Sequence, residues 1–267
     1  MPRTPIPFDR NVERWLEYSE SPKGRLRHEL TWHNMKRHLK HGDGKLRVLD
    51  VGCGLGEMAL FLSSKARTLV LLDFSDKMLE TAKKRLMQKR PGLKGDRITF
   101  VHGRVETLEA CLPKGRFDLI LCHTLLEYVD DPRGIVASLA GRLAPGGLLS
   151  LVVVTWISEV FKLAILKNDL VGAREALHKR DFPATIFGDV AKRTFSPDDL
   201  EELVEGLNLK VLGRYGIRIF TDYLLQEGEK DSTRYRQLLD LEKEASKLLP
   251  YLYFGRYLHL ICTQKDS

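Results

Sequence analysis

LRVLDVGCGLG (46–56), continued by EMALFLSSK (57–65) and TLVLLDFS (68–75), is the stretch on which the architecture turns. An apolar run ends in Gly52, Gly54 and Gly56, at G-x-G-x-G spacing, and a helical pattern opens at once with Glu57. A short continuous apolar run reads as a strand buried on both faces, as in a parallel sheet. Glycines let the chain turn sharply and bring bare backbone against a ligand, and the following helix offers free N–H groups beside it. A second apolar run ends at Asp73. A carboxylate there accepts hydrogen bonds from ribose hydroxyls, outside the carboxyl ends of the strands, where open α/β sheets bind ligands. The glycine triplet alone also describes an ordinary tight turn. The joined pattern of strand, Asp50, glycines, helix, strand and Asp73 is what points to a nucleoside.

The same alternation continues outward. Ser75 is a candidate N-cap for a helix reaching Arg90, stopped by Pro91-Gly92. ITFVHG (98–103), FDLILCH (117–123) and LLSLVVVT (148–155) read as further strands, with a helix from Pro132 to about Leu143 and a turn at Ala144-Pro145-Gly146-Gly147. Such β-α alternation predicts a doubly wound α/β sheet with helices on both faces. SPDDLEELVEGL (196–207) predicts a capped helix, and LKVLGRYGIRIF (209–220) and FGRYLHLICTQ (254–264) two more strands. In GIRIF, Arg218 is expected to face opposite to Ile217 and Ile219. Residues 9–42 read as polar helix with Leu26, Leu30, Met35 and Leu39 on one stripe, broken at Gly42-Asp43-Gly44. The expected organisation is an N-terminal helical segment (1–44) over the cofactor site and a cofactor-binding core (45–155). A helical, mixed-charge cap (156–195) and the rest of the core (196–267), with a helical insertion at 221–253, complete it.

The chain has 267 residues, 43% hydrophobic and 30% charged, within the roughly 200–250 residues an open α/β domain commonly fills, plus a cap. Cys53, Cys111, Cys122 and Cys262 form no C-x-x-C pair, and no histidine lies at metal-ligand spacing from them. They read as reduced thiols, with no metal expected, in a cytoplasmic protein. MPRTPIPFDR lacks the apolar stretch of a signal peptide, and no window approaches the roughly 20 apolar residues of a membrane span. A formal net charge of +7 permits an anionic partner such as RNA without requiring one.

A dinucleotide fingerprint prefers G-x-G-x-x-G, and here Glu57 occupies the last position. DVGCGLG instead resembles motif I of the class I S-adenosylmethionine-dependent methyltransferases, (D/E)-x-G-x-G-x-G. Asp73 matches that family's ribose-binding acid, HGRVETL (102–108) its adenine-contacting loop, FDLILCHTLLEYVDDP (117–132) its fourth-strand motif and LAPGGLLSLVV (143–153) its approach to strand five. The resemblance covers about residues 45–155. It implies a Rossmann-like seven-stranded sheet with helical N-terminal and inserted cap segments, and S-adenosyl-L-methionine as cofactor. KGRLRHELTW (23–32), HTLLEYVDDPR (123–133), GIRIFTDYL (216–224) and GRYLHL (255–260) further resemble the bacterial tRNA 5-carboxymethoxyuridine methyltransferase family, which esterifies the carboxylate of a modified wobble uridine. By these resemblances Arg27, Asp50, Gly52, Cys53, Gly54, Gly56, Asp73, Phe74, Arg104, Val105 and His123 fall at cofactor-contacting positions. The chain departs from the narrower family after strand five, at Val153, Thr155 and Trp156, and in DFPATIFGDVAKRTF (181–195).

A carboxylate nucleophile is ionised at neutral pH. It needs alignment and exclusion of water rather than a general base. Arg218, Arg214 and Arg256, with Tyr257 and Tyr223, are candidates to position it. Trp32 and Trp156 are candidate base-stacking residues. Arg25, Arg27, His28, Lys36, Arg37 and Lys40, or the basic helix end Lys83, Lys84, Arg85, Lys89 and Arg90, are candidate RNA contacts. A methyltransferase of a small-molecule acid, or a non-catalytic protein that binds the same cofactor, stands as the alternative.

Overall fold

The structure, a computed structural model, describes residues 6–40, 44–90, 92, 95–184, 186–187, 190–225 and 232–265. The expected break at Gly42-Asp43 and the helix stop at Pro91 lie outside the described residues. Seven strands form one sheet: β1 (Leu46–Val51), β2 (Ala66–Asp73), β3 (Ile98–His102), β4 (Phe117–His123), β5 (Leu143–Val154), β6 (Leu209–Ile217) and β7 (Tyr257–Gln264). Their spatial order is 3-2-1-4-5-7-6. β1 pairs parallel with both β2 and β4, whereas β7 runs antiparallel to β5 and β6. The chain leaves β1 toward β2 on one side and returns to β4 on the other, which opens a crevice above the carboxyl ends of β1 and β4.

Both faces of the sheet are buried, so its central strands are apolar along their length. Alternate residues point to opposite faces. Leu49, Val51, Val70 and Leu72 pack with Ile135, Val136 and Leu139 of α7 (Pro132–Gly141) and Leu200 and Val204 of α10 (Pro197–Val204). Val48, Leu69, Leu71 and Leu119 pack with Met58 and Leu62 of α4 (Glu57–Leu62) and with Leu79 and Leu86 of α5 (Asp76–Lys89). Ser75 caps α5 by accepting from the Met78 N–H, and Ser196 and Asp199 form a reciprocal capping box on α10. Such a cap is worth about 1 kcal/mol.

Three helices, α1 (Ile6–Arg10), α2 (Val12–Glu20) and α3 (Pro22–Lys36), make up the polar helical segment expected near the N-terminus. Ser21, with extended backbone, ends α2 and caps α3. Leu26 and Leu30 of α3 are fully buried against Val152, Val154 and Tyr257 of the sheet and Tyr235 and Leu238 of α12 (Thr233–Ala245).

The cap departs from its helical expectation. α8 (Trp156–Phe161), a π-helical turn (Lys162–Leu166) and α9 (Leu170–Ala176) are followed by a small hairpin pairing Asp181–Pro183 with Ala191–Arg193. Each hairpin strand has only three residues, too few to show a period. β6 also stops short of its expected end: it closes at Ile217, and Arg218 takes a left-handed backbone, φ 61°. Strand alternation therefore does not set the direction of Arg218.

Candidate active site

A cavity of about 330 Å³ lies over the carboxyl ends of β1, β2, β4 and β5. One side is built by the glycine turn. Gly52 and Gly54 line it with φ of 67° and 53°, a left-handed backbone that costs a residue with a Cβ about 1 kcal/mol or more. A Cβ on Gly52 would also come within 3.1 Å of Leu125. Asp73 ends β2 on the same wall, its carboxylate accepting from the Gly54 N–H at 2.8 Å and the Ser75 N–H at 3.0 Å. Two carboxylate oxygens have about four lone-pair sites, so acceptor capacity remains for a ligand. Burial raises the Asp73 carboxyl to about 6, against the lowering effect of those N–H groups. Phe74, Arg104 and Val105 complete this side, the Arg104 guanidinium lying 5.7 Å from the centre of the Phe74 ring.

Arg27, on α3, reaches the cavity from above. Its guanidinium lies 5.3 Å from the ring centres of Trp15 and Tyr257 and 5.9 Å from Tyr18. It is buried, yet its Nη1 has no hydrogen-bond partner. A buried cationic donor left unpaired costs free energy and suits a ligand carboxylate.

The opposite side comes from segments far apart in the chain. The Tyr18 and Tyr257 hydroxyls lie 3.0 Å apart. Arg218 donates to the Tyr18 hydroxyl and to Asp222. The carboxylate of Asp222 keeps the Arg218 guanidinium charged against the cost of burial, and Asp222 itself is held below the usual carboxylate range. Burial disfavours ionisation of Tyr257, but Arg27, Arg218 and Arg256 outweigh it and lower its hydroxyl toward about 7. Arg256, Lys162 and Lys192 line the cavity as well, and all three pair with Glu159 behind the wall.

Of the expected cofactor residues, Arg27, Gly52, Gly54, Asp73, Phe74, Arg104 and Val105 meet on this cavity, and Asp50, Cys53, Gly56 and His123 do not. Asp50 is buried behind the turn, its carboxyl pushed well up by burial and then by Glu57 and Asp73. Cys53 packs into the core beside Met58 and Leu121. Gly56, φ 71°, lies against Ala82 and Leu86 and lets α5 approach. His123 turns inward to Ser150 Oγ at 2.7 Å, which bonds the His259 ring at 2.9 Å. Burial holds His123 neutral, with its pKa near 3. The wall is taken instead by Thr124, φ 52°, and Leu125.

On the substrate side Arg218, Tyr257 and Arg256 line the cavity, whereas Arg214 and Tyr223 do not. Arg214 pairs with Glu201 on the exposed surface, and Tyr223 packs on Phe161. Trp32 stacks on Phe61 and Trp156 lies under Arg180 at 4.4 Å, both away from the cavity. The basic helix end is not one solvated face either. Arg85 is buried and pairs with Glu57 at 3.0 Å, which also accepts from Ser19. Arg27 and His28 are buried too, so the N-terminal basic cluster is divided between cavity and surface. Phe8, Trp15 and Tyr18 line the cavity unforeseen. For Trp15 and Tyr18 the sequence signal is an aromatic pair three residues apart in RWLEY (14–18), to which Phe8 does not belong.

Among the described residues no helix is long and apolar enough to cross a membrane. A family described as "Methyltransferase domain" matches residues 48–147. The tRNA 5-carboxymethoxyuridine methyltransferase of Escherichia coli (strain K12) is 32% identical over 252 residues, which is 92% of this chain and 90% of that protein. Among solved structures, an S-adenosylmethionine-dependent methyltransferase from Thermotoga maritima superposes with a TM-score of 0.62 at 20% identity, covering 97% of this chain and 99% of that one. Magnesium protoporphyrin IX methyltransferase from Synechocystis PCC 6803, solved with bound S-adenosylhomocysteine, gives a TM-score of 0.61 at 15% identity, covering 95% and 94%.

Proposed function

The chain belongs to the class I S-adenosylmethionine-dependent methyltransferases, and from that premise we propose that it methylates the carboxylate of a modified wobble uridine in tRNA. The observation that carries the substrate is the identity of 32% with the E. coli tRNA enzyme, sustained over nearly the full length of both chains. The cavity agrees with it, because the described wall facing the glycine turn carries cations and phenols that can receive an anionic substrate.

Bound S-adenosylmethionine supplies an electrophilic methyl group on a sulfonium, whose bonding electrons return to sulfur as the new carbon–oxygen bond forms. The residues present fit it. We assign the bare backbone of Gly52 and Gly54, which line the cavity, to close approach of the adenosyl group, and Asp73 on the same wall to the ribose hydroxyls. Phe74, Arg104 and Val105 are assigned to the adenine, and the unpaired Nη1 of Arg27 to the methionine carboxylate. On the substrate side Tyr257 and Arg218 orient the nucleophile, with Arg256 beside them. Their task is alignment and exclusion of water, since the substrate carboxylate arrives already ionised.

Incubation with tritiated S-adenosylmethionine and bulk tRNA that lacks the ester tests this reading. Label should enter tRNA and be released by mild alkali, as an ester is. Alkali-stable label, or label found only in small-molecule extracts, would reject it.

A further inference from the structure

Three cations on the cavity wall converge on one buried carboxylate. Glu159 receives Lys192 Nζ at 2.5 Å, Arg256 Nη2 at 2.9 Å and Lys162 Nζ at 3.7 Å. Glu159 and Lys192 are each only 4% exposed, and Lys162 sits nearer the rim. Among the described residues Glu159 is the carboxylate that all three reach, and Asp222 is paired with Arg218. Lys192 and Arg256 therefore share a single carboxylate where water is scarce. Burial pulls the lysines toward neutrality, while Glu159 draws them back to the charged form and is itself held near 2. Unbalanced buried charge carries a desolvation cost, which an anion entering the cavity would relieve.

The reacting carboxylate is poorly suited to be that anion. It loses its charge as it is methylated, so cations clamped on it favour the ground state over the transition state and slow the step. A phosphodiester keeps its charge throughout. The Tyr18–Tyr257 hydroxyl pair, and a guanidinium already neutralised by Asp222, can orient a carboxylate without quenching it. We propose that Lys162, Lys192 and Arg256 hold a backbone phosphate next to the target nucleoside, leaving the reacting carboxylate to Tyr18, Tyr257 and the Arg218–Asp222 pair. This division rests on the tRNA reading above. It assigns Arg256 to recognition of the nucleic-acid backbone rather than to the nucleophile.

Calorimetry on the protein loaded with S-adenosylhomocysteine, at one pH and salt concentration, tests the phosphate site without turnover. The probes are uridine, uridine 5′-monophosphate and uridine 3′-monophosphate. At least one monophosphate should bind about tenfold tighter than uridine, the factor a charge-assisted hydrogen bond carries. Lys192→Met and Lys162→Met should each remove most of that preference while leaving the affinity for S-adenosylhomocysteine unchanged. Should Lys192→Met fail to fold, Lys162→Met decides, because its side chain is nearer the rim. No preference in the unaltered protein, or a preference that survives the substitutions, overturns the proposal. Failure of the tRNA reading looks different: the phosphate preference is intact, and no alkali-labile label enters tRNA.

Discussion

The two sides of the cavity are built by different means. The cofactor side is one continuous run, from β1 through the glycine turn to the end of β2, and its polar contacts are made by backbone N–H groups and one carboxylate. The opposite side gathers Tyr18, Lys162, Lys192, Arg218, Arg256 and Tyr257 from the N-terminal helices, the cap and the junctions at the ends of the last two strands, and holds them by ion pairs and hydroxyl contacts. A site built from local backbone is positioned by the strands themselves. A site built from buried charges depends on each partner for the fit of the next. The first should lose ligand when altered and keep its stability; the second should lose stability wherever a buried charge is left without its partner.

The largest effect is expected in the charged side. Arg218→Met leaves Asp222 buried without its partner, and breaking a buried pair in this way costs about 3–5 kcal/mol. Adding Asp222→Asn should recover most of the loss. Chemical denaturation of the three proteins measures both steps, and a single variant as stable as the parent would erase the contrast.

Next in size is Asp73→Ala. It should weaken S-adenosylmethionine binding by about 1.5–3 kcal/mol, as for hydrogen bonds to a charged group. Unchanged affinity in titration calorimetry would remove Asp73 from the ribose.

Protonation distinguishes the sides more finely. The Asp73 carboxyl is raised to about 6 in the fold, above its unfolded value of about 3.9. Without ligand it therefore contributes stability below the unfolded value, and that contribution is lost as pH rises through about 6. A ligand that needs the ionised carboxylate behaves oppositely, so cofactor affinity should fall by about tenfold between pH 7 and pH 5. Glu159, held near 2, stays ionised over that range, and its contribution, full above the unfolded value of about 4.3, is lost as pH falls from there through about 2. Affinity for the cofactor that is flat with pH in calorimetry would contradict the Asp73 assignment.

The smallest effect serves as a reference. Ser196→Ala removes a capping box remote from the cavity and should cost about 1 kcal/mol in denaturation with no change in cofactor affinity. A change in affinity would mean that the cofactor side also depends on general stability.

The same contrast explains what could be read from the sequence. Strands buried on both faces announce themselves as apolar runs, and the glycine spacing and Asp73 sit at their ends, so the sheet and half of the cavity were legible. Gly56 was not separable from Gly52 and Gly54, because packing against α5 and exposure to a ligand both require glycine. The inward turn of His123 depends on Ser150, a polar residue hidden in an apolar strand. Arg218 was expected from strand alternation, but β6 had already ended and a left-handed residue redirects the chain. Glu159, Lys162 and Lys192 lie in mixed-charge sequence, where solvated and buried charges look alike until the fold brings them together.

The most direct test is the structure of the complex with S-adenosylhomocysteine. The account predicts ribose hydroxyls within hydrogen-bond distance of Asp73 and the ligand carboxylate on Arg27. A ligand lying elsewhere, with Asp73 bonded only to Gly54 and Ser75, would contradict it.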